Sequence, residues 1–82
     1  MYAGVVEVEA LSNYVLLLSF DSDEERLFDM KPLLSIGRFS ELKDVAEFNR
    51  VSVSFDTIQW SNGLDLDPEY LYSESTSLTE VV

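Results

Sequence analysis

Carboxylates are the side chains of this sequence best able to do chemistry, since 16 Asp and Glu stand against five Lys and Arg, with no His and no Cys. Two acidic runs, Asp21–Glu25 and Asp65–Glu69, resemble the start of a calcium-binding loop. Neither continues as one, because the sixth position needs Gly and holds Arg26 or Tyr70, and the distal Glu is missing. We interpret the acids as solvated turn residues and a helix cap, and predict no metal site.

The sequence supports no other catalytic arrangement. Glycoside hydrolysis needs two acids facing each other across a cleft, which a chain of this size rarely encloses. Without His or Cys, the only remaining nucleophile and base are Ser35 or Ser40 with Lys31 or Lys43, which fall in predicted turns and caps. The three glycines are isolated, so there is no phosphate-binding loop. The sequence predicts a protein that is not an enzyme, with no catalytic residue and no cofactor.

The charge pattern bears on partners. The net charge is −11, and all five bases lie within residues 26–50, whereas residues 1–25 and 51–82 carry only acids. A field of this sign repels phosphate backbones, so we expect no direct nucleic-acid binding. It attracts a small basic protein. The alternative interpretation is that the acidity only keeps a small domain soluble.

The N-terminal residues lack the basic segment of a signal peptide, and no apolar run approaches the roughly 20 residues needed to cross a bilayer. The absence of Cys agrees with a reducing compartment. We therefore expect a cytoplasmic protein without membrane association.

One stretch, residues 58–72, concentrates the unusual residues, including the only Trp and the only Asn-Gly pair. Asn-Gly suits a turn that needs positive φ, and Asp followed by Pro and Glu is typical of a capped helix start. The aromatic side chains either enter the core or border a pocket for a small ligand near the Trp. The candidate structural or partner-binding residues are Trp60, Asn62, Gly63, Asp65, Asp67, Pro68, Tyr70 and Tyr72.

The elements that position these residues begin with three strands. In Val5–Leu11, three apolar residues (Val6, Val8 and Ala10) alternate with Glu, which predicts a strand wet on one face. After a turn at Ser12-Asn13, residues 14–20 form an almost wholly apolar run that we place at the centre of the sheet. Residues 25–30 pair back on it. A three-stranded antiparallel meander results, whose first or third strand offers an edge for a homodimer.

The rest of the chain predicts a helix and a hairpin. Pro32 ends the third strand, and an irregular loop follows. Residues 40–48 predict a short helix capped by Ser40, with Leu42, Val45, Ala46 and Phe48 on its buried face. Residues 51–55 and 58–60 predict a two-stranded hairpin in which Val51, Val53 and Phe55 alternate with Ser. The predicted architecture is a single α+β domain over residues 1–73, with one or two short helices packed on a small antiparallel sheet, and a flexible acidic, hydroxyl-rich tail over residues 74–82.

Several motifs carry a family resemblance: Phe20-Asp21, Pro32-Leu33-Leu34, Phe39-Ser40-Glu41-Leu42, Phe48 and residues 58–72. Through them the chain resembles the domain-of-unknown-function 2442 family of bacteria over about residues 5–73. Two turns depart from the family pattern, with Ser61 in place of Pro and Asp21-Ser22 in place of Asp-Gly or Asn-Gly. These departures leave the expected fold unaffected.

The resemblance implies a small α+β domain like the N-terminal domain of an uncharacterised Nitrosomonas protein. Some members of the family carry a helix-turn-helix domain after it, and short ones are encoded beside a small basic family in what look like toxin–antitoxin pairs. The family supplies no catalytic residues. The predicted function is a non-enzymatic interaction domain of unknown specific function, antitoxin-like toward a small basic protein. The alternative is a small-ligand sensing module with a pocket near Trp60.

Overall fold

Strand β2 lies at the centre of the first sheet. The computed structural model describes residues 4–78, and in it β2 (Val15–Phe20) pairs on one side with β1 (Val5–Leu11) and on the other with β3 (Glu25–Asp29), all antiparallel. The predicted meander and its central strand are confirmed. A fourth strand, β7 (Thr76–Ser77), pairs with β3 and completes the order β1-β2-β3-β7.

Strand β1 contains an irregularity that the alternation did not predict. Val5 pairs with Phe20 and Glu7 with Ser19, so Val6 is an extra residue opposite β2, a β-bulge. Val5 is buried, whereas Val6 is 53% exposed. The prediction that Val6 shares the inner face with Val8 and Ala10 is therefore wrong, because the bulge shifts the alternation by one residue.

The turn between β1 and β2 includes Tyr14, which the sequence analysis had placed in the strand. Asn13 and Tyr14 both have positive φ, of 62° and 60°. Tyr14 is fixed there because its ring lies edge-on to that of Phe48 at 5.3 Å and its hydroxyl donates to the Lys43 carbonyl at 2.5 Å. The turn is thus held by residues about thirty positions further along the chain.

The segment after β3 forms two 3₁₀ helices, Lys31–Leu33 and Gly37–Lys43, and then α1 (Val45–Phe48). The prediction of one helix capped by Ser40 is wrong. Asp44 has an extended backbone that interrupts it, and its carboxylate accepts from the Ala46 amide at 3.1 Å, so Asp44 is the N-cap of α1. The interruption changes which side chains face inward: Leu42 and Phe48 are buried, whereas Val45 is 56% exposed and Ala46 is also exposed.

A second antiparallel sheet contains β4 (Ser52–Ser54), β5 (Thr57–Gln59) and β6 (Asp65–Leu66) in that order. The predicted two-stranded hairpin is present and gains β6 as a third strand, since Ile58 pairs with Leu66. The predicted alternation fails at Phe55, which lies in the β4–β5 turn and is 97% exposed. Helix α2 (Pro68–Glu74) follows β6.

The residues expected to form a flexible tail are partly built into the first sheet. Thr76 and Ser77 pair with β3, and Ser75 and Ser77 are buried. Arg26 holds this segment, since its Nε donates to the Ser75 hydroxyl at 2.7 Å and its second terminal nitrogen donates to the Ser75 carbonyl at 2.8 Å. β3 therefore has a partner strand on each side and is not an edge of the sheet. Of the two strand edges proposed for a homodimer, only β1 is an edge of the first sheet. Residues 79–82 of the expected tail lie outside the described residues.

The core lies between the two sheets, with both α-helices contributing to it, so the predicted α+β class is confirmed. In residues 4–78, no helix has the length and apolar content required to cross a membrane. The buried apolar side chains are Val5, Leu16, Leu18, Phe20, Phe28, Met30, Leu34, Leu42, Phe48, Ile58, Trp60 and Leu71.

Candidate functional site

Trp60 lies in the core. Its side chain is 2% exposed, its ring centroid is 6.5 Å from that of Phe48, and its indole N–H donates to the Phe48 carbonyl at 3.0 Å. A buried indole N–H needs such a partner, and this one is supplied by the protein itself. Trp60 therefore has a structural role in connecting the second sheet to α1.

The Asn-Gly pair reverses the chain between β5 and β6, as predicted. The Gly63 amide donates to the Trp60 carbonyl at 3.0 Å, and the Trp60 amide donates to the Leu64 carbonyl at 2.9 Å. Gly63 has a φ of 92°, in the region that favours glycine, and Asn62 Oδ1 accepts from the Leu64 amide at 3.1 Å. The expected positive φ is confirmed at Gly63.

This turn is attached to the second 3₁₀ helix by a small polar network. Arg38 donates to the Asn62 carbonyl at 2.8 Å and to Glu41 Oε2 at 3.3 Å, while Asn62 Nδ2 donates to Glu41 Oε1 at 2.9 Å. These hydrogen bonds lower the pKa of the Glu41 carboxyl, and the bond from Arg38 has a larger effect than the bond from Asn62. The network orients the turn, and the polar atoms of Asn62 are engaged in hydrogen bonds inside the protein.

The acids that follow serve helix α2. Asp67 Oδ1 accepts from the Glu69 amide at 3.0 Å, and Pro68 occupies the first turn, which confirms the predicted capped start. Asp65 is an exposed residue of β6 paired with Gln59. Within residues 4–78, no three or more His, Cys, Asp or Glu side chains are grouped so that they could hold a metal ion.

The two tyrosines of α2 dock the helix on the first sheet. Tyr70 lies edge-on to Phe28 at 5.9 Å, and Tyr72 lies edge-on to Phe20 at 5.2 Å. Tyr72 also carries the Arg26 guanidinium 4.3 Å above its ring. The eight candidate residues of the 58–72 stretch are thus distributed over a buried indole, a turn, a strand and a docked helix, and they do not converge on one cavity.

An open groove of about 580 Å³ lies elsewhere, between the outer face of the first sheet and β4. We call it the acidic groove, because three of its nine lining residues are glutamates and none is basic. Register explains the clustering, since Ser19 pairs with Glu7 on one side and with Glu25 on the other. The lining residues are Glu7, Val8, Glu9, Leu17, Ser19, Glu25, Val51, Ser52 and Val53.

An apolar strip continues from the groove across the outer face of the first sheet. Leu17 pairs with Leu27 on β3, and Leu11 pairs with Val15. All four are partly buried, and none belongs to the apolar side chains packed on the core. Because side chains alternate along a strand, they project opposite to the buried Leu16 and Leu18. We call Leu11, Val15, Leu17 and Leu27 the outer strip.

Sequence reasoning identified Glu7 and Glu9 as a wet face but missed the outer strip. Residues 14–20 are predicted as an almost wholly apolar run at the centre of the sheet, and this description does not separate outward-facing apolar residues from buried ones. A usable signal was present: a three-stranded antiparallel meander commonly leaves one face toward solvent, so Val15 and Leu17 had to project from that face if Leu16 and Leu18 faced the core.

The geometry defines a small antiparallel α+β domain with an acid-lined groove on one sheet face. Comparison with family models places the chain: the model described as a protein of unknown function (DUF2442) matches residues 5–77, and the chain belongs to this family. The family identification made from the motifs is confirmed. A search of curated proteins and a search of solved structures each find no match, so the likeness to a Nitrosomonas domain stays an expectation.

Proposed function

We propose that this chain is a non-enzymatic cytoplasmic interaction domain that binds a small basic protein, in the manner of an antitoxin bound to its toxin. One observation carries the proposal: the acidic groove combines three glutamates with the outward-facing Leu17 and the exposed Val53, and it continues into the apolar outer strip. Protein interfaces have this composition, with an apolar centre that supplies affinity and a charged rim that selects the partner.

The charge of the groove is uncompensated within the described residues. Four of the five bases are engaged in ion pairs, each with an acid close in sequence. Glu7, Glu9 and Glu25 take part in none of the ion pairs found over residues 4–78. Lys or Arg side chains from a partner would supply the missing countercharge, and the outer strip would be covered at the same time.

A second copy of the chain fits this surface poorly. Pairing of two β1 edges about a two-fold axis near Val8 would bring Glu7 and Glu9 of one protomer beside the same glutamates of the other. Like charges placed directly across a strand pair are destabilising. The proposal therefore favours a partner of opposite charge over the homodimer that the open β1 edge suggested.

The small-ligand alternative has no observation in its favour. It needed a pocket near Trp60, and Trp60 is buried and absent from the lining of the acidic groove. The groove is open and acidic, unlike the enclosed, mostly apolar pockets that bind small molecules.

The proposal is tested by capture from a native lysate with a matched pair of variants. In one, Glu7 and Glu9 are both changed to Lys; in the control, the exposed acids Asp65 and Glu74 are changed to Lys, which gives the same net charge. We expect the wild type and the control to retain a basic protein at low salt and to release it as salt rises. The groove variant should retain none. Identical capture by the groove variant would contradict the proposal.

A further inference from the structure

Phe55 has the most exposed large apolar side chain of the described residues, at 97%. It lies at the tip of the two-residue turn between β4 and β5, where Ser54 pairs with Thr57. Phe55 and Asp56 both have positive φ, of 49° and 69°. A two-residue hairpin turn of this kind favours Asn or Asp followed by Gly, and a bulky side chain is disfavoured there.

The turn does not need an aromatic residue for its own stability. Three other non-glycine residues with positive φ are Asn13, Tyr14 and Asp23. Asn and Asp tolerate the conformation, and Tyr14 gains a ring contact and a hydrogen bond inside the fold. Phe55 has neither of these advantages. Its residue type suits the positive φ poorly, and its ring is almost fully exposed to solvent.

The tip is nevertheless hydrogen-bonded to the first sheet. The Val5 amide at the start of β1 donates to the Asp56 carbonyl at 2.8 Å. A side chain that projects from an ordered turn loses little freedom on binding, which favours its use as an anchor. Aromatic residues, Phe among them, are enriched at protein interfaces relative to the rest of the surface.

Two carboxylates flank the turn. A Cβ at Gly4 would lie 3.2 Å from Asp21 Oδ2 and 3.3 Å from Asp56 Oδ1, so both carboxylates lie close to the same backbone position. Neither is in an ion pair with any described residue. The surface around Phe55 is therefore acidic, and it is repelled by anionic lipid.

We propose that Phe55 is an anchor that inserts into an apolar pocket of a protein partner, and that Arg or Lys side chains at the rim of this pocket pair with Asp21 and Asp56. The inference rests on the proposed function, since it names the anchor by which the basic partner is held. Strand β4 connects the two surfaces, because its residues line the acidic groove and Phe55 directly follows it.

Site-directed cross-linking in the full chain tests this contact. Phe55 is replaced by the photoreactive benzoylphenylalanine in cells that naturally express the protein, with Ile36, another exposed apolar residue, replaced in the control. We expect one protein adduct from position 55 and none from position 36, with the cross-link at an apolar residue of a basic protein. No adduct at position 55, equal adducts at both positions, or an adduct only with a second copy or with lipid would overturn the inference.

Affinity for the cross-linked protein provides the second measurement. Phe55→Asn suits the turn, so its unfolding midpoint should not fall below that of the wild type, while binding weakens by at least about tenfold. Phe55→Tyr should bind within a few-fold of wild type. If Phe55→Asn binds normally and the Glu7 and Glu9 variant does not, the anchor is refuted and the groove stands. The converse result keeps the anchor and refutes the groove.

Discussion

Gly63 offers a direct test of how the β5–β6 turn stabilises the domain. Its φ of 92° favours glycine, and a Cβ built on it has no atom within 4 Å. Substitution therefore meets open space, and the whole cost arises from the backbone conformation. Substitution at Gly63 therefore measures backbone strain alone, whereas most glycine substitutions add a steric clash to the strain.

The magnitude follows from this geometry. Gly63→Ala should cost about 1–2 kcal/mol of unfolding free energy, the usual penalty for an L-residue in a left-handed conformation. Gly63→Val should cost more, because a β-branched residue at positive φ is a true outlier, and Gly63→Asn should cost least. A domain of this length has a total stability of roughly 4–12 kcal/mol, so even the Val variant should fold.

Urea unfolding monitored by fluorescence measures these effects, since Trp60 is the only Trp and is buried in the folded state. Gly37 provides an internal control, because its Cβ position is equally open but its φ of 50° lies near the ordinary left-handed minimum. Gly37→Ala should therefore cost less than Gly63→Ala. A Gly63→Val variant as stable as wild type, or an inverted order of the two Ala variants, would refute the reasoning.

Three further outcomes are expected. Asp67→Ala should lose about 1 kcal/mol by thermal or urea unfolding because the α2 cap is removed, and Asp67→Ser should recover most of it. Because the pKa of Glu41 is lowered, its contribution to stability is present above the ordinary carboxyl pKa and is lost as pH falls through the lowered value. In the Arg38→Gln variant, NMR titration should show the pKa of Glu41 return toward its ordinary value. Arg26→Lys replaces the two guanidinium nitrogens that bond Ser75 with a single ammonium, which should weaken these bonds, so hydrogen exchange should show lost protection in β7 while β2 stays protected.

Local sequence signals predicted the structure correctly where a particular residue type is required by a particular backbone geometry. Asp67-Pro68 predicted a helix start because a carboxylate caps an amide and Pro fits the first turn. Gly63 predicted positive φ for the same kind of reason. The almost wholly apolar run of residues 14–20 predicted a central strand, because a strand at the centre of a sheet is the most deeply buried.

The remaining features depend on contacts that the local pattern does not contain. Val5 and Val6 are equally apolar, so the alternation gave no sign of which one the bulge would expel. Strand β7 has no apolar periodicity in its sequence. The segment is held beside β3 by the hydrogen bonds that Arg26 donates to Ser75, which lies 49 residues later and directly before β7. Ser40 was the predicted cap of the helix, but the extended backbone at Asp44, which the local pattern does not indicate, moves the start of α1 and makes Asp44 the cap.

The carboxylates proposed to bind a partner should also destabilise the free chain. Glu7 and Glu9 are two residues apart on one strand, hence about 7 Å apart at their backbones, and repel by about half a kcal/mol in water before salt screening. Neutralising one of them, as in Glu9→Gln, should therefore raise the unfolding midpoint slightly at low salt, with the gain disappearing at high salt. The same variant should weaken partner binding. A stabilising change that impairs binding is the signature of a functional site, whereas acids that only confer solubility would leave binding unchanged.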